Sequence, residues 1–213
     1  MTETIKPPSS GAAPRRAPRQ ERSRQRVQDI LDAAALVIAE VGLEAATLSE
    51  VARRANITLA SLYRYFPNKA AVVRQLAEHQ LAKLREPMAR FAQSADIPGD
   101  IDTIIDVFAD FYRKEPAYRE VWSGIGAMPE LAALDQEDLL SNVDLMSSTL
   151  RERFPHLDEA DARAITTMLT RAIGAVLRLA MVMDDRVAEV MLAEVKFMAR
   201  SYLRARLAPP NPV

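Results

Sequence analysis

Between Thr47 and Lys69 the sequence TLSEVARRANITLASLYRYFPNK concentrates hydroxyls, phenols, guanidinium groups and an ammonium in one short stretch. Such groups suit non-covalent contact with a nucleic acid. Their spacing describes the elements that must hold them. Thr47 and Glu50 have the S/T-x-x-E spacing of a capping box, so a helix is predicted to begin there. Leu48, Val51, Ala52 and Ala55 recur at i, i+3, i+4 and i+7 and give that helix one apolar face. Asn56 tolerates the left-handed conformation of a sharp turn and can end it. Thr58 can cap a second short helix carrying Ser61, Leu62, Tyr63 and Tyr65, before Pro67 and Asn68 break the run. Two small helices joined this way are the usual form of a helix-turn-helix, whose second helix enters the DNA major groove. By spacing alone the same pattern also fits an ordinary capped turn in an all-helical protein.

The residues themselves carry more. Arg26 to Val73 resembles the N-terminal domain of the tetracycline-repressor (TetR) family of bacterial transcription regulators. The matching positions are Ile30-Leu31, Ala33-Ala34, Gly42, Thr47-Leu48, Val51-Ala52, Ala55, Ile57-Thr58, Leu62-Tyr63-Arg64-Tyr65-Phe66 and Asn68-Lys69. The resemblance implies an all-α fold of about nine helices. A three-helix helix-turn-helix domain over residues 21–68 would follow a disordered arginine-rich arm at 1–20, and a larger ligand-binding and dimerisation domain would occupy 69–208. It also implies that Thr58, Leu59, Ala60 and Ser61 face base edges, where hydroxyls meet several bases and apolar groups pack on thymine methyls. Thr47, Tyr63, Tyr65 and Lys69 resemble the family's phosphate clamps, with Arg54 and Arg64 as further candidates for DNA. Family members often have Gly at the positions of Asn56 and Ala60, which bears on the operator read. No Asn, Gln or Arg stands among the four base-facing candidates, so Arg64 is the possible bidentate reader.

Charge distribution agrees with a DNA-facing end. The net charge is −1, but residues 1–75 hold 12 Lys and Arg against 7 Asp and Glu, and the remainder holds 16 against 22. Arg15, Arg16, Arg19, Arg22, Arg24 and Arg26 crowd the approach to the first helix. Such asymmetry between halves is typical of a protein that meets nucleic acid with one end. Residues 1–20, rich in Pro, Ser, Ala and Arg, lack the apolar surface to order themselves. They form either a loose tail or an arm that reaches DNA on binding.

Downstream the pattern is helical. The first helix is expected from Ser23 to Val41, ending at Gly42, and the fourth from Lys69 to Arg85 or Phe91, kinked or divided at Pro87. A break at Ser94 to Asp100 precedes a fifth helix with Ile101, Ile104, Ile105, Phe108, Phe111 and Tyr112 on one face. Pro116 opens a short sixth helix through Trp122. A seventh runs to Phe154, an eighth from Asp158 to Met183 and a ninth to Leu207. Phe108, Phe111, Tyr112, Trp122, Met128 and Met146, with Asn142, Thr167 and Arg171 as polar contacts, are candidates for an effector pocket. Such stripes also form plain core. Ala172, Gly174, Ala175, Met191, Val195, Met198 and Tyr202 are candidates for a homodimer face.

These readings exclude much. There is no Cys, so thiolate chemistry and disulfides are absent. His79 and His156 are the two histidines, far apart and without metal-ligand spacing, and no phosphate loop or nucleophile elbow occurs. No catalytic residue, metal or cofactor is expected. No signal peptide or membrane span is read, so a soluble cytoplasmic protein is expected. The chain reads as a ligand-responsive repressor of a palindromic double-stranded operator, acting as a homodimer, with an unnamed small-molecule effector. The alternative is a helical dimerisation or ligand-binding module without operator binding.

Overall fold

Helix α1 (Pro18–Ala45) begins earlier than its apolar stripe requires, because Pro in a first turn lacks only a donor that would be unpaired anyway. It breaks at Gly42, whose φ of 82° and ψ of 164° are open to glycine, and a last turn closes with Ala46 N–H donating to the Gly42 carbonyl at 3.2 Å. Two short helices follow, α2 (Leu48–Arg54) and α3 (Leu59–Tyr63), then α4 (Lys69–Ala92). Beyond them lie α5 (Ile97–Lys114), α6 (Tyr118–Ser123), a 3-10 turn (Ile125–Ala127), α7 (Pro129–Arg153), α8 (Glu159–Ala180) and α9 (Asp185–Leu207). The computed structural model describes residues 18–209, and among these the chain is all-helical with no strand. The arm at 1–20 lies outside the described residues except where α1 has begun.

Boundaries differ from expectation where proline is involved. Pro87 sits inside α4, which continues to Ala92. Pro98 and Gly99 do not separate helices. They form the first turn of α5, which Asp96 caps by accepting the Gly99 amide at 3.0 Å. Helix α8 stops at Ala180, short of Met183, and the chain turns over Val182 and Met183 into α9.

One apolar core runs from Ile30 of α1 to Leu207 of α9. Helix α8 packs between α7 and α9, α5 lies on α9, and α4 lies on both α7 and α5. The short α6 touches α1, α4, α5 and α8, so it joins the N-terminal helices to the rest. Its Tyr118 and Trp122 are among the largest fully buried side chains. Wholly buried Gln80 of α4 accepts from Trp122 Nε1 at 3.1 Å and donates to the Pro116 carbonyl at 3.0 Å. A buried amide so placed satisfies two partners that would otherwise be stranded. Replacing it (Gln80→Leu) should reduce unfolding free energy by about 1–3 kcal/mol, read from urea denaturation. An unchanged midpoint would mean that Trp122 and Pro116 find other partners.

Candidate nucleic-acid interface and the cavity behind it

The turn between α2 and α3 is built by local hydrogen bonds. Thr47 Oγ1 accepts the Glu50 amide at 3.3 Å and starts α2. At its end Asn56 takes φ 52°, Ile57 N–H donates to Ala52 O at 3.0 Å, and Asn56 N–H donates to Arg53 O at 3.2 Å. That pair is a Schellman closure, which Asn permits through its ease in the left-handed region. Thr58 Oγ1 then accepts the Ser61 amide at 3.1 Å and opens α3. Leu62, with no exposed surface, and buried Phe66 anchor α3 in the same core as Ile30 and Ala34. With that face fixed, Ala60, Tyr63, Arg64 and Tyr65 face outward, Tyr63 being 51% exposed, while Ser61 is half-buried. Thr58 is exposed at its cap, and Leu59 is partly buried against the core, which limits what it can offer a base.

The cations of this region divide into paired and unpaired. Arg54 donates to Glu40 of α1 at 2.5 and 2.8 Å and to Glu50 at 3.4 Å. Its register turns it toward α1, where it latches α2 in place, so a contact with DNA would require it to leave Glu40. Arg53 grips Glu50 with two bonds, at 2.8 and 2.5 Å. The Glu50 side chain is therefore turned to the arginines, and only the Thr47 half of the capping box forms. The Arg53 hydrogen bonds pull the Glu50 carboxyl down to about 2, and Arg54 lowers Glu40 likewise. Lys69 donates to the Glu44 carbonyl at 2.9 Å, tying the start of α4 to the connection after Gly42. Exposed Arg64 forms no side-chain hydrogen bond or ion pair with another described residue.

Behind the reading head, α4 to α8 line a partly open cavity of about 130 Å³, with Leu203 of α9 also in its wall. Phe108, Tyr112, Trp122, Asn142, Met146 and Arg171 all line it. Three other expected residues do not. Phe111 stands behind the wall with its ring edge-on to Tyr118 at 5.5 Å, and Met128 packs in the core at the start of α7. Thr167 is exposed, while its neighbour Thr166 and Thr170 face the cavity, because one residue turns a helix by about 100°. Asp135, Asp138 and Arg178 also line it and were not anticipated. Their signal was present: Asp135, Asp138, Asn142 and Met146 follow i, i+3, i+7 and i+11, one helical face. Among the described residues no three His, Asp or Glu side chains gather as a metal group, and no helix is long and apolar enough to cross a membrane.

The candidate pairing residues also separate. Ala175 and Met198 are exposed, and Ala172, Met191 and Tyr202 are half-buried. Val195, 3% exposed, belongs to the core with Ala188, Leu192, Ala199 and Leu203 and does not face outward as expected, while half-buried Gly174 also lines the cavity. The outward apolar surface is made instead by Leu179, Val182, Met183, Val187, Val190 and Phe197, the last 61% exposed. Val187, Val190 and Phe197 repeat at i, i+3 and i+10, a second stripe beside the buried one.

Comparison with known proteins bears on this arrangement. Residues 96–203 match the family described as tetracyclin repressor-like, C-terminal domain, and residues 30–76 match bacterial regulatory proteins, tetR family. The nucleoid occlusion factor SlmA of Haemophilus influenzae is 32% identical over 96 residues, covering 45% of this chain and 44% of that protein. The A-factor receptor protein of Streptomyces griseus is 39% identical over 62 residues, covering 29% and 22%. The chain thus spans less than half the length of these curated relatives. Similar folds occur in a TetR-family transcriptional regulator from Streptomyces coelicolor, with TM-score 0.62, 24% identity, and 84% of this chain and 98% of that one covered. They occur too in SmeT, the repressor of the Stenotrophomonas maltophilia multidrug efflux pump SmeDEF, with TM-score 0.65, 22% identity and 88% and 95% covered.

The paired and unpaired arginines should separate in experiment. Arg64→Ala should weaken DNA binding and reduce the salt slope by about one. Arg54→Ala should lower the melting temperature and leave that slope unchanged. Gel-shift titrations at several salt concentrations, with thermal melts beside them, check both.

Proposed function

The chain belongs to the TetR family of bacterial regulatory proteins, and from that premise we propose a ligand-responsive transcriptional regulator that represses by occupying an operator and leaves it when a small molecule fills the cavity. Residues 21–68 form the reading head on this reading, and residues 69–208 sense the ligand and pair with a second copy. The observation that carries it is α4. The helix starts at the reading head, with Lys69 bound to Glu44, and sends Leu81, Met88 and Phe91 into the cavity wall. Its 24 residues span about 36 Å at 1.5 Å each. A ligand that binds one position of α4 better than another shifts the reading head by that difference in affinity, with no covalent step.

Base contact falls to Thr58, Ala60 and Ser61 at the start of α3, with Arg64 as the strongest candidate reader; Thr47, Tyr63, Tyr65 and Lys69 are assigned to phosphates. Lys69 must give up or share its Glu44 bond to do so. Specificity then rests heavily on spacing. Two heads in a dimer would meet half-sites about 34–36 Å apart, and a palindromic operator mirrors that two-fold symmetry. The exposed apolar residues at the end of α8, in the turn after it and on α9 support pairing, since large exposed apolar patches mark interaction sites. Repression is the named role of SmeT, and the A-factor receptor is named for a ligand. No catalytic role is assigned.

Phe197→Glu places a charge on the apolar strip and tests the whole reading. The parent chain should sediment as a dimer at micromolar concentration and retard the DNA upstream of its own gene. The variant should sediment as a monomer and lose most of that binding. A parent dimer that ignores DNA would leave a dimerisation module; a variant that remains dimeric would move the interface elsewhere.

A further inference from the structure

The α7 wall of the cavity presents two carboxylates one turn apart, and the structure treats them differently. Asp135 is paired with Arg171 of α8 and lies 3.8 Å from Arg178 of the same helix. Asp138 accepts one hydrogen bond, from Asn142 Nδ2 at 2.9 Å, and forms no ion pair with any described Lys or Arg. Burial pushes its carboxyl up, and Asp135 adds to this; Arg85 of α4, acting at longer range, and Asn142 oppose them. Tyr112 and Tyr118 also line the chamber, their rings stacked with centroids 4.3 Å apart. Much of the remaining wall is hydrocarbon, including Ile101 and Ile105 of α5, Met146 of α7 and Leu169 of α8.

A half-buried carboxylate without a cation is costly, and a partner inside the same low-dielectric space offsets that cost. Resting on the reading of this chamber as the effector site, we propose that its ligand is an amphipathic organic amine, whose ammonium pairs with Asp138 and whose apolar body lies against the hydrocarbon wall. The two guanidinium groups nearby do not recommend an acid, because Asp135 already engages both and an incoming carboxylate would face Asp138. A neutral body would meet the hydrocarbon wall and leave the carboxylate unpaired. The volume is comparable with cavities of about 150 Å³ that hold benzene, so a single-ring aryl amine suits the space.

Three probes with one aryl body test the class: phenethylamine, phenethyl alcohol and hydrocinnamate, titrated by calorimetry into the full chain. The amine should bind roughly tenfold tighter than the other two, the size of one charge-assisted contact. Its advantage should fall as acid protonates Asp138, over a range displaced upward by burial. Asp138→Asn should abolish the amine's advantage and leave the alcohol's affinity as it was. Tighter binding of the acid, an advantage that survives in Asp138→Asn, or no binding of any probe overturns the assignment. The ranking on the unaltered protein stands even if the variant misfolds. Amine binding that leaves upstream DNA in place overturns the effector reading alone; release of DNA by other compounds, with no preference among these probes, overturns only the amine.

Discussion

Asn68 Oδ1 accepts the Ala71 amide at 2.8 Å, and from that cap α4 runs through Pro87 to Ala92 while burying Val72, Val73, Leu76, Ala77, Gln80, Leu81 and Leu84. The first of these residues share a core with Leu62 and Phe66 of the reading head, and the last share one with the cavity helices. The two ends cannot move independently, because a packed helix transmits displacement along its axis with little compression. Cap and burial at both ends make α4 the one helix that lies in the reading-head core and in the cavity wall, although Pro87 leaves one donor missing from its hydrogen-bond ladder.

Polar groups buried along this route are few and accounted for. Gln80 binds Trp122 and the Pro116 carbonyl, so α4 and α6 share a hydrogen-bonded contact where α6 also touches α1. Trp122 is both a wall of the cavity and the partner of Gln80. The cavity wall and α4 are thus joined by a specific hydrogen bond as well as by Leu81, Met88 and Phe91. In a low-dielectric interior such a contact holds one geometry firmly, since the alternative leaves a donor or acceptor unpaired.

Much of the reading head was legible in the sequence, and the reasons are local. Thr47, Asn56, Thr58 and Asn68 act on amides within three residues of themselves or on their own backbone torsions, so their types and spacing suffice to describe caps and turn. Pro98 misled because proline both breaks a helix interior and suits a first turn, and only position distinguishes the two. The cavity was half legible. Aromatic residues of α5 and α6 stood out by type, while Asp135 gains its meaning only where α8 brings Arg171 and Arg178 beside it.

By itself the sequence determined the number and order of helices, the helix-turn-helix and the kind of protein it belongs to, because period, caps and turn residues act over a few positions. Tertiary structure alone decided which charges are spoken for and which apolar residues face out. Arg54 is committed to Glu40, fourteen positions away, while Arg64 has no such partner among the described residues. On α9 Val195 lies within the core and Phe197 outside it, two apolar residues about 160° apart around one helix. Which of two apolar stripes turns inward depends on the helices packed against it, α5 and α8 in this case, and they lie far away along the chain.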